Sequence, residues 1–351
     1  MGRILGRLLR STVLLAWAAL AWAQPADPWV QYTGMEGPGR GKHIVLVSGD
    51  EEYRSEEALP QLGRILARHH GFTCTVLFAI DPGDGTINPV RNDNIPGLQA
   101  LQSADLMILF TRFRALPDEQ MRHFAAYVES GRPIIGLRTA THAFQYSDSS
   151  RSAYRRYDWR STTWEGGFGR QILGETWVSH HGHHAVQSTR GVIAEGVREH
   201  PIVRGCEDIW GPTDAYTVRL PADCQPLVRG QVLTGMQPSD PAFVGEYVRM
   251  VGGSRQVRMP NDPMMPIAWI RTRMGPSGTT GRVFATTMGA AVDFQSEGLR
   301  RLVVNAAYWC LGMEARIPPE GTSVEVVGRY EPTPFGFGGF RKGIRPTDLA
   351  E

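Results

Sequence analysis

Short, wholly apolar runs alternate with amphipathic stretches through the first half of the chain, and each change of period predicts a change of element. His43-Ile-Val-Leu-Val47 reads as a buried strand. After it, Leu59, Leu62, Ile65 and Leu66 fall on one face of a helix. Thr73 to Ile80 is a second strand, and Asp81 to Pro96 is a loop rich in Gly, Asp, Asn and Pro. Leu98 and Leu101 mark a short helix, and Leu106-Met-Ile-Leu-Phe110 a third strand. A helix from Pro117 to Ser130 follows, with Pro at its first turn, Asp118 and Glu119 next, and Gly131 as its stop. Pro133 to Leu137 is the fourth strand. Strand and helix alternating at this spacing predict an α/β fold, with a mainly parallel sheet, right-handed crossovers and helices on both faces.

The second half is less regular. Ser147 to Gly169, rich in Tyr, Trp, Arg, Ser and Gly, reads as a long surface excursion. Pro266 to Thr272 and Arg282 to Thr287 are two more strands, joined by a hairpin-like loop at Gly275 to Gly281. Leu299 to Leu311 is an apolar helix that would cover the sheet. From Glu314 to Glu351 periodicity is lost, and Gly336 to Gly343 is a Gly/Phe/Arg tail without an evident core role.

Both the start of the chain and its cysteines bear on where it works. Arg3, Arg7 and Arg10 precede an apolar run from Ser11 to Trp22, and Ala21-Trp22-Ala23 has a small-x-small form. This predicts a signal peptide over residues 1–23, cleaved after Ala23, and a secreted or periplasmic protein. The run is too short to span a bilayer comfortably, so no stable membrane insertion is expected after cleavage. Gln24 to Gly41 reads as a linker. Of four cysteines, Cys74 and Cys310 read as buried thiols, and Cys206 and Cys224 are the pair that an oxidising compartment could bridge. A formal charge of +2 without a basic stripe argues against nucleic acid as a partner. Whether the chain self-associates is left open.

Candidate chemistry gathers at three strand ends. With the sheet ordered 2-1-3-4, the carboxyl ends of strands one and three flank a switch point, the usual ligand position in open α/β sheets. There lie Ser48-Gly-Asp-Glu-Glu-Tyr-Arg54, Thr111-Arg-Phe-Arg114 and Arg138-Thr-Ala-Thr-His142. His142 is the candidate acid/base and Glu52 a second carboxylate, with Arg138 and Arg112 holding polar substrate oxygens. Asp50, Glu51, Tyr53, Arg54, Arg114 and Thr139 complete the predicted crevice, unless these charges merely brace the loops. Pro133 to His142 has the form of a nucleophile elbow, yet Arg138 stands where Ser or Cys would attack. A second cluster, His180-His-Gly-His-His184, could offer a divalent transition metal at most two convergent ligands on a strand; His181 and His183 are that candidate pair. A third, His200-Pro-Ile-Val-Arg204 with Trp210, Asp214 and Tyr216, mixes rings and a carboxylate in a way that suits sugar recognition.

From about Lys42 to Met313 these pieces resemble the ThuA-like (trehalose-utilisation) family. The resemblance rests on Ser48 to Arg54, Gly131 to Ala140, Leu173-Gly-Glu through His184, His200-Pro-Ile with Asp214 and Tyr216, Pro266-Ile-Ala-Trp269, and Gly281-Arg-Val-Phe284 before Met288-Gly289. It implies a flavodoxin-like fold of the class I glutamine amidotransferase type, and a role in sugar or keto-sugar metabolism. The amidotransferase cysteine maps onto Arg138, which implies no glutaminase activity. Relatives usually carry His at that elbow and a Gly-His pair after the late strand, where this chain has Arg138 and Ala290; His142 is then the nearest substitute. The expectation is an exported protein that binds or transforms a small-molecule carbohydrate, by hydrolysis or isomerisation if it is an enzyme. The alternative is a non-catalytic binding or assembly module on the same fold.

Overall fold

The computed structural model describes residues 27–251, 254–276 and 278–350. The expected signal peptide lies outside them. In chain order the main elements are β1 (Trp29–Thr33), β2 (His43–Gly49), α1 (Ser55–His70), β3 (Thr73–Leu77), β4 (Leu106–Thr111), α2 (Asp118–Glu129) and β5 (Ile134–Leu137). The short strands β6 (His180–His181), β7 (Thr189–Ile193), β8 (Trp210–Gly211) and β9 (Ala215–Tyr216) follow. Then come β10 (Gln225–Val232), β11 (Tyr247–Val251), β12 (Ser254–Arg258), β13 (Met265–Met274), β14 (Thr280–Thr286) and α3 (Glu297–Cys310).

One large sheet runs β1-β3-β2-β4-β5-β14-β13-β10-β7-β8. Its centre, β3-β2-β4-β5-β14, is parallel and keeps the expected order around β2. Antiparallel strands extend it at both ends. Every residue of β4 is buried, because helices cover both faces there. On one face α1 and α3 pack together, with Leu59, Leu62, Ile65 and Leu66 all fully buried. Removing each such side chain from water stabilises the fold by about 1.5–3 kcal/mol. On the other face α2 presents Met121, Phe124 and Val128 to a second apolar cluster. Gly71, at φ 79°, ends α1 in the left-handed region that a side chain would disfavour.

Three sequence expectations change. The segment read as a linker carries β1, an edge strand whose Val30 and Tyr32 are buried against the α1 layer. Cys206 and Cys224 are both free, as are Cys74 and Cys310. The first two belong to apolar clusters on opposite faces of the sheet, so no bridge joins them. The C-terminal segment is irregular, as expected, but it packs on the domain: Phe335, Ile344 and Leu349 rest on the core, and Ile344 accepts a hydrogen bond from the Ile87 amide. Among the described residues no helix is long and apolar enough to cross a membrane.

Candidate functional site

The three strand-end loops do meet. Thr139 donates its hydroxyl to Asp50 (2.5 Å), the Arg112 amide bonds the Gly49 carbonyl, and the Phe113 amide bonds the His142 carbonyl. Asp50, fully buried, also accepts from the amides of Glu52 and Tyr53, and so fixes the turn after β2. Arg138 keeps the elbow's left-handed backbone (φ 42°).

Most of the predicted arginines turn out to be internal braces. Arg138 is fully buried; its Nη1 donates to Thr213 Oγ1 and to the carbonyls of Asp214 and Thr287, each at 3.0 Å. Its guanidinium lies between the rings of Tyr53 (3.8 Å) and Tyr216 (4.9 Å), themselves buried. Arg114 donates to the carbonyls of Pro89, Arg91 and Arg112 and pairs with Glu51. Arg54 turns away to the C-terminal segment, reaching the Gly336 carbonyl (2.6 Å) and Thr333 Oγ1 (3.1 Å). Only Arg112 stays half-buried near the opening, paired with Glu51 and, at 3.5 Å, with Glu52. Burial raises the Glu51 carboxyl, and the neighbouring Asp50 adds to the rise.

His142 is in the right loop but the wrong environment for proton transfer. Its ring is buried among Phe113, Trp177 and Tyr216, with Nδ1 on Thr141 Oγ1. Burial, reinforced by Arg112 and Arg138, drives its pKa well below the ordinary histidine value.

The histidines that converge are His180 and His184. β6 pairs with β9 so that His180 lies opposite Tyr216, and the strand's alternation sends His181 to the other side, onto the Pro260 carbonyl (2.8 Å). Gly182 then turns the chain at φ 115°, close to Asp214: a Cβ there would sit 3.3 Å from that of Asp214. His183 packs on Tyr247, and His184 returns to face His180, ring centroids 4.8 Å apart. The pair expected to converge, His181 and His183, therefore does not; the i, i+4 pair across the glycine does.

Asp214, with no exposed side-chain surface, holds both rings: His180 Nδ1 lies 2.7 Å from Oδ2 and His184 Nδ1 2.8 Å from Oδ1. A carboxylate only accepts, so both Nδ1 atoms carry hydrogen. His184 Nε2 stands 3.3 Å from Glu52 Oε1, a second acceptor, so this ring is an imidazolium. Hydrogen bonds to Asp214 and Glu52 accordingly raise its pKa to about 9. Burial alone would raise Asp214, but its histidines and Arg138 hold it down at about 2. Glu52 is also lowered: the His184 bond and Arg112 outweigh its burial. His180, 41% exposed in its side chain, is oriented by Asp214 through Nδ1. The donor atoms of His180, His184 and Asp214 lie within 4.8 Å of one another, a set that could hold a divalent transition metal once His184 had given up a proton. A cleft of about 250 Å³ is lined by His180, His181, His183, Thr217, Tyr247 and Arg258, without His184 or Asp214.

The model of the trehalose-utilisation family matches residues 44–310. The chain belongs to the ThuA family. Among solved structures it is similar to a ThuA-like protein from Parabacteroides merdae at 14% identity and TM-score 0.45, covering 88% of this chain and 99% of that one. It is likewise similar to one from Bacteroides uniformis at 14% identity and TM-score 0.42, covering 82% and 95%. No curated protein matches.

Proposed function

We propose that this ThuA-family chain acts on a small-molecule carbohydrate at the carboxyl edge of its sheet, through acid–base chemistry at His180 and His184. The observation that carries the reading is the buried Asp214 carboxylate, both of whose oxygens are taken by the Nδ1 atoms of the two histidines. Such a carboxylate fixes tautomer and ring orientation, which is what a proton-transferring imidazole needs. His180 presents its Nε2 as the candidate base, while His184 is held as the acid. A base and an acid side by side suit hydrolysis of a sugar linkage, or isomerisation of a sugar by proton removal and return. Trp177 beside His180, and Trp159 beside Trp177, add ring faces of the kind that sugar C–H surfaces contact.

The same donors could hold a divalent transition metal, with His180, His184 and Asp214 as ligands and Glu52 beside them; bound there, the metal would polarise a substrate oxygen. Glutaminase chemistry is not part of the proposal, because the buried Arg138 guanidinium at the elbow is no nucleophile. The arginine-led apolar leader supports export of the chain.

Thermal stabilisation of the full protein by trehalose, maltose, sucrose, cellobiose and fructose tests the reading, because a ligand that binds only the native state raises the melting temperature. At least one sugar is expected to do so, with the effect lost in His180→Ala and turnover of that sugar lost with it. No stabilisation by any of the panel would contradict the proposal. Binding without turnover would favour the non-catalytic alternative.

A further inference from the structure

The family match ends at residue 310, yet the chain continues and returns to the site. Arg54 anchors this return through Thr333 and the Gly336 carbonyl, and the Gly336 amide bonds the carbonyl of Glu52 at 2.7 Å. Two phenylalanines flank that glycine. Phe335 stacks on Tyr53 (5.8 Å) and meets the His184 ring edge-on (5.6 Å). Phe337 is 66% exposed, unusual for so large an apolar group, and lies 5.1 Å from the Arg112 guanidinium. Gly339 lets the strand of chain approach Arg54 closely: a Cβ there would fall 2.5 Å from Nη2. The segment is thus held in place at several points while one ring is left uncovered.

We propose that residues 333–337 form the outer wall of the site, and that Phe337 is a platform on which a sugar ring lays its C–H face. The inference rests on the carbohydrate reading given above. Arg112 sits between the rings of Phe113 and Phe337 and also faces Glu52. A pyranose on Phe337 would therefore have an apolar face covered and its edge hydroxyls within the neighbourhood of Arg112, Glu52 and His184. This wall lies beyond the family match and would act as a specificity determinant of the site.

Binding of the same five sugars to the full protein by calorimetry provides the test, using the wild type, Phe337→Ala and Phe337→Trp. A ring contact is worth about 0.5–1.5 kcal/mol, so Phe337→Ala should weaken the best sugar by about two- to tenfold. Phe337→Trp should restore it, and neither variant should move the melting temperature of the free protein. Equal affinity of wild type and Phe337→Ala would overturn the platform while leaving the carbohydrate reading intact. No binding by the wild type would overturn both.

Discussion

Asp214→Asn removes the charge that two imidazoles share while nearly preserving the side chain's volume. Asparagine offers one accepting oxygen and one donating amide, so one of the two Nδ1–H groups must then face a donor. The rise of His184 from 6.5 to about 9 corresponds to about 3 kcal/mol of preference for the imidazolium, at about 1.4 kcal/mol per pH unit. With 34% of the His184 side chain exposed, solvent screening reduces this to about 1–2 kcal/mol, shared between Asp214 and Glu52. The sign follows from linkage: the folded pKa is raised, so the contribution is fully present below pH 6.5 and is lost as pH rises through about 9. Asp214 acts at the other end, contributing above 3.8 and losing its contribution as pH falls through about 2. Nitrogen-detected NMR of the His184 imidazole reads the effect directly. The wild-type ring should titrate near 9 and the Asp214→Asn ring closer to 6.5. A wild-type midpoint near 6.5, unchanged by the substitution, would refute the assignment of His184 as an acid held by two carboxylates.

Arg138→Ala should lower the unfolding free energy by about 3–5 kcal/mol in chemical denaturation, because it leaves a buried carboxylate and several carbonyls without their cation; a loss below about 1 kcal/mol would mean that the arginine is no brace. Arg54→Ala should free the C-terminal segment, seen as faster limited proteolysis between Thr333 and Phe340, whereas unaltered cleavage would show that other contacts hold it. Alkylation of the unfolded, unreduced protein should label all four cysteines, and a Cys206–Cys224 bridge in the peptide map would contradict their placement on opposite faces. Purified protein should release no ammonia from glutamine; sustained release that copurifies with it would contradict the elbow reading.

The parallel centre of the sheet was legible because β2, β4 and β5 are uninterrupted apolar runs, the pattern that burial on both faces demands. The same pattern placed the turn after β2, the Arg112 loop and the elbow at one edge. What each charged side chain does there was not legible. Arg112, Arg114 and Arg138 share a residue type and a position after a strand, but backbone carbonyls from distant segments capture the last two. His142 likewise carries no local mark of its burial under Phe113, Trp177 and Tyr216. Strand alternation carried through the histidine run selects His181 and His183. Gly182 was the available signal that alternation breaks, leaving His180 and His184 on one side. Trp29 to Thr33 was obscured by its Pro/Gly-rich surroundings, although an edge strand needs only one buried face. The C-terminal segment has no periodicity to read, since single anchors such as Arg54 to Gly336 hold it rather than a repeating face.

The most direct test of the proposed centre is a carbohydrate titration followed through the imidazole signals of His180 and His184 in the full protein. A sugar that binds at the sheet edge should shift both signals saturably, with a common affinity. A sugar that binds and is turned over while the His180 and His184 signals stay fixed would place the chemistry elsewhere and contradict the assignment.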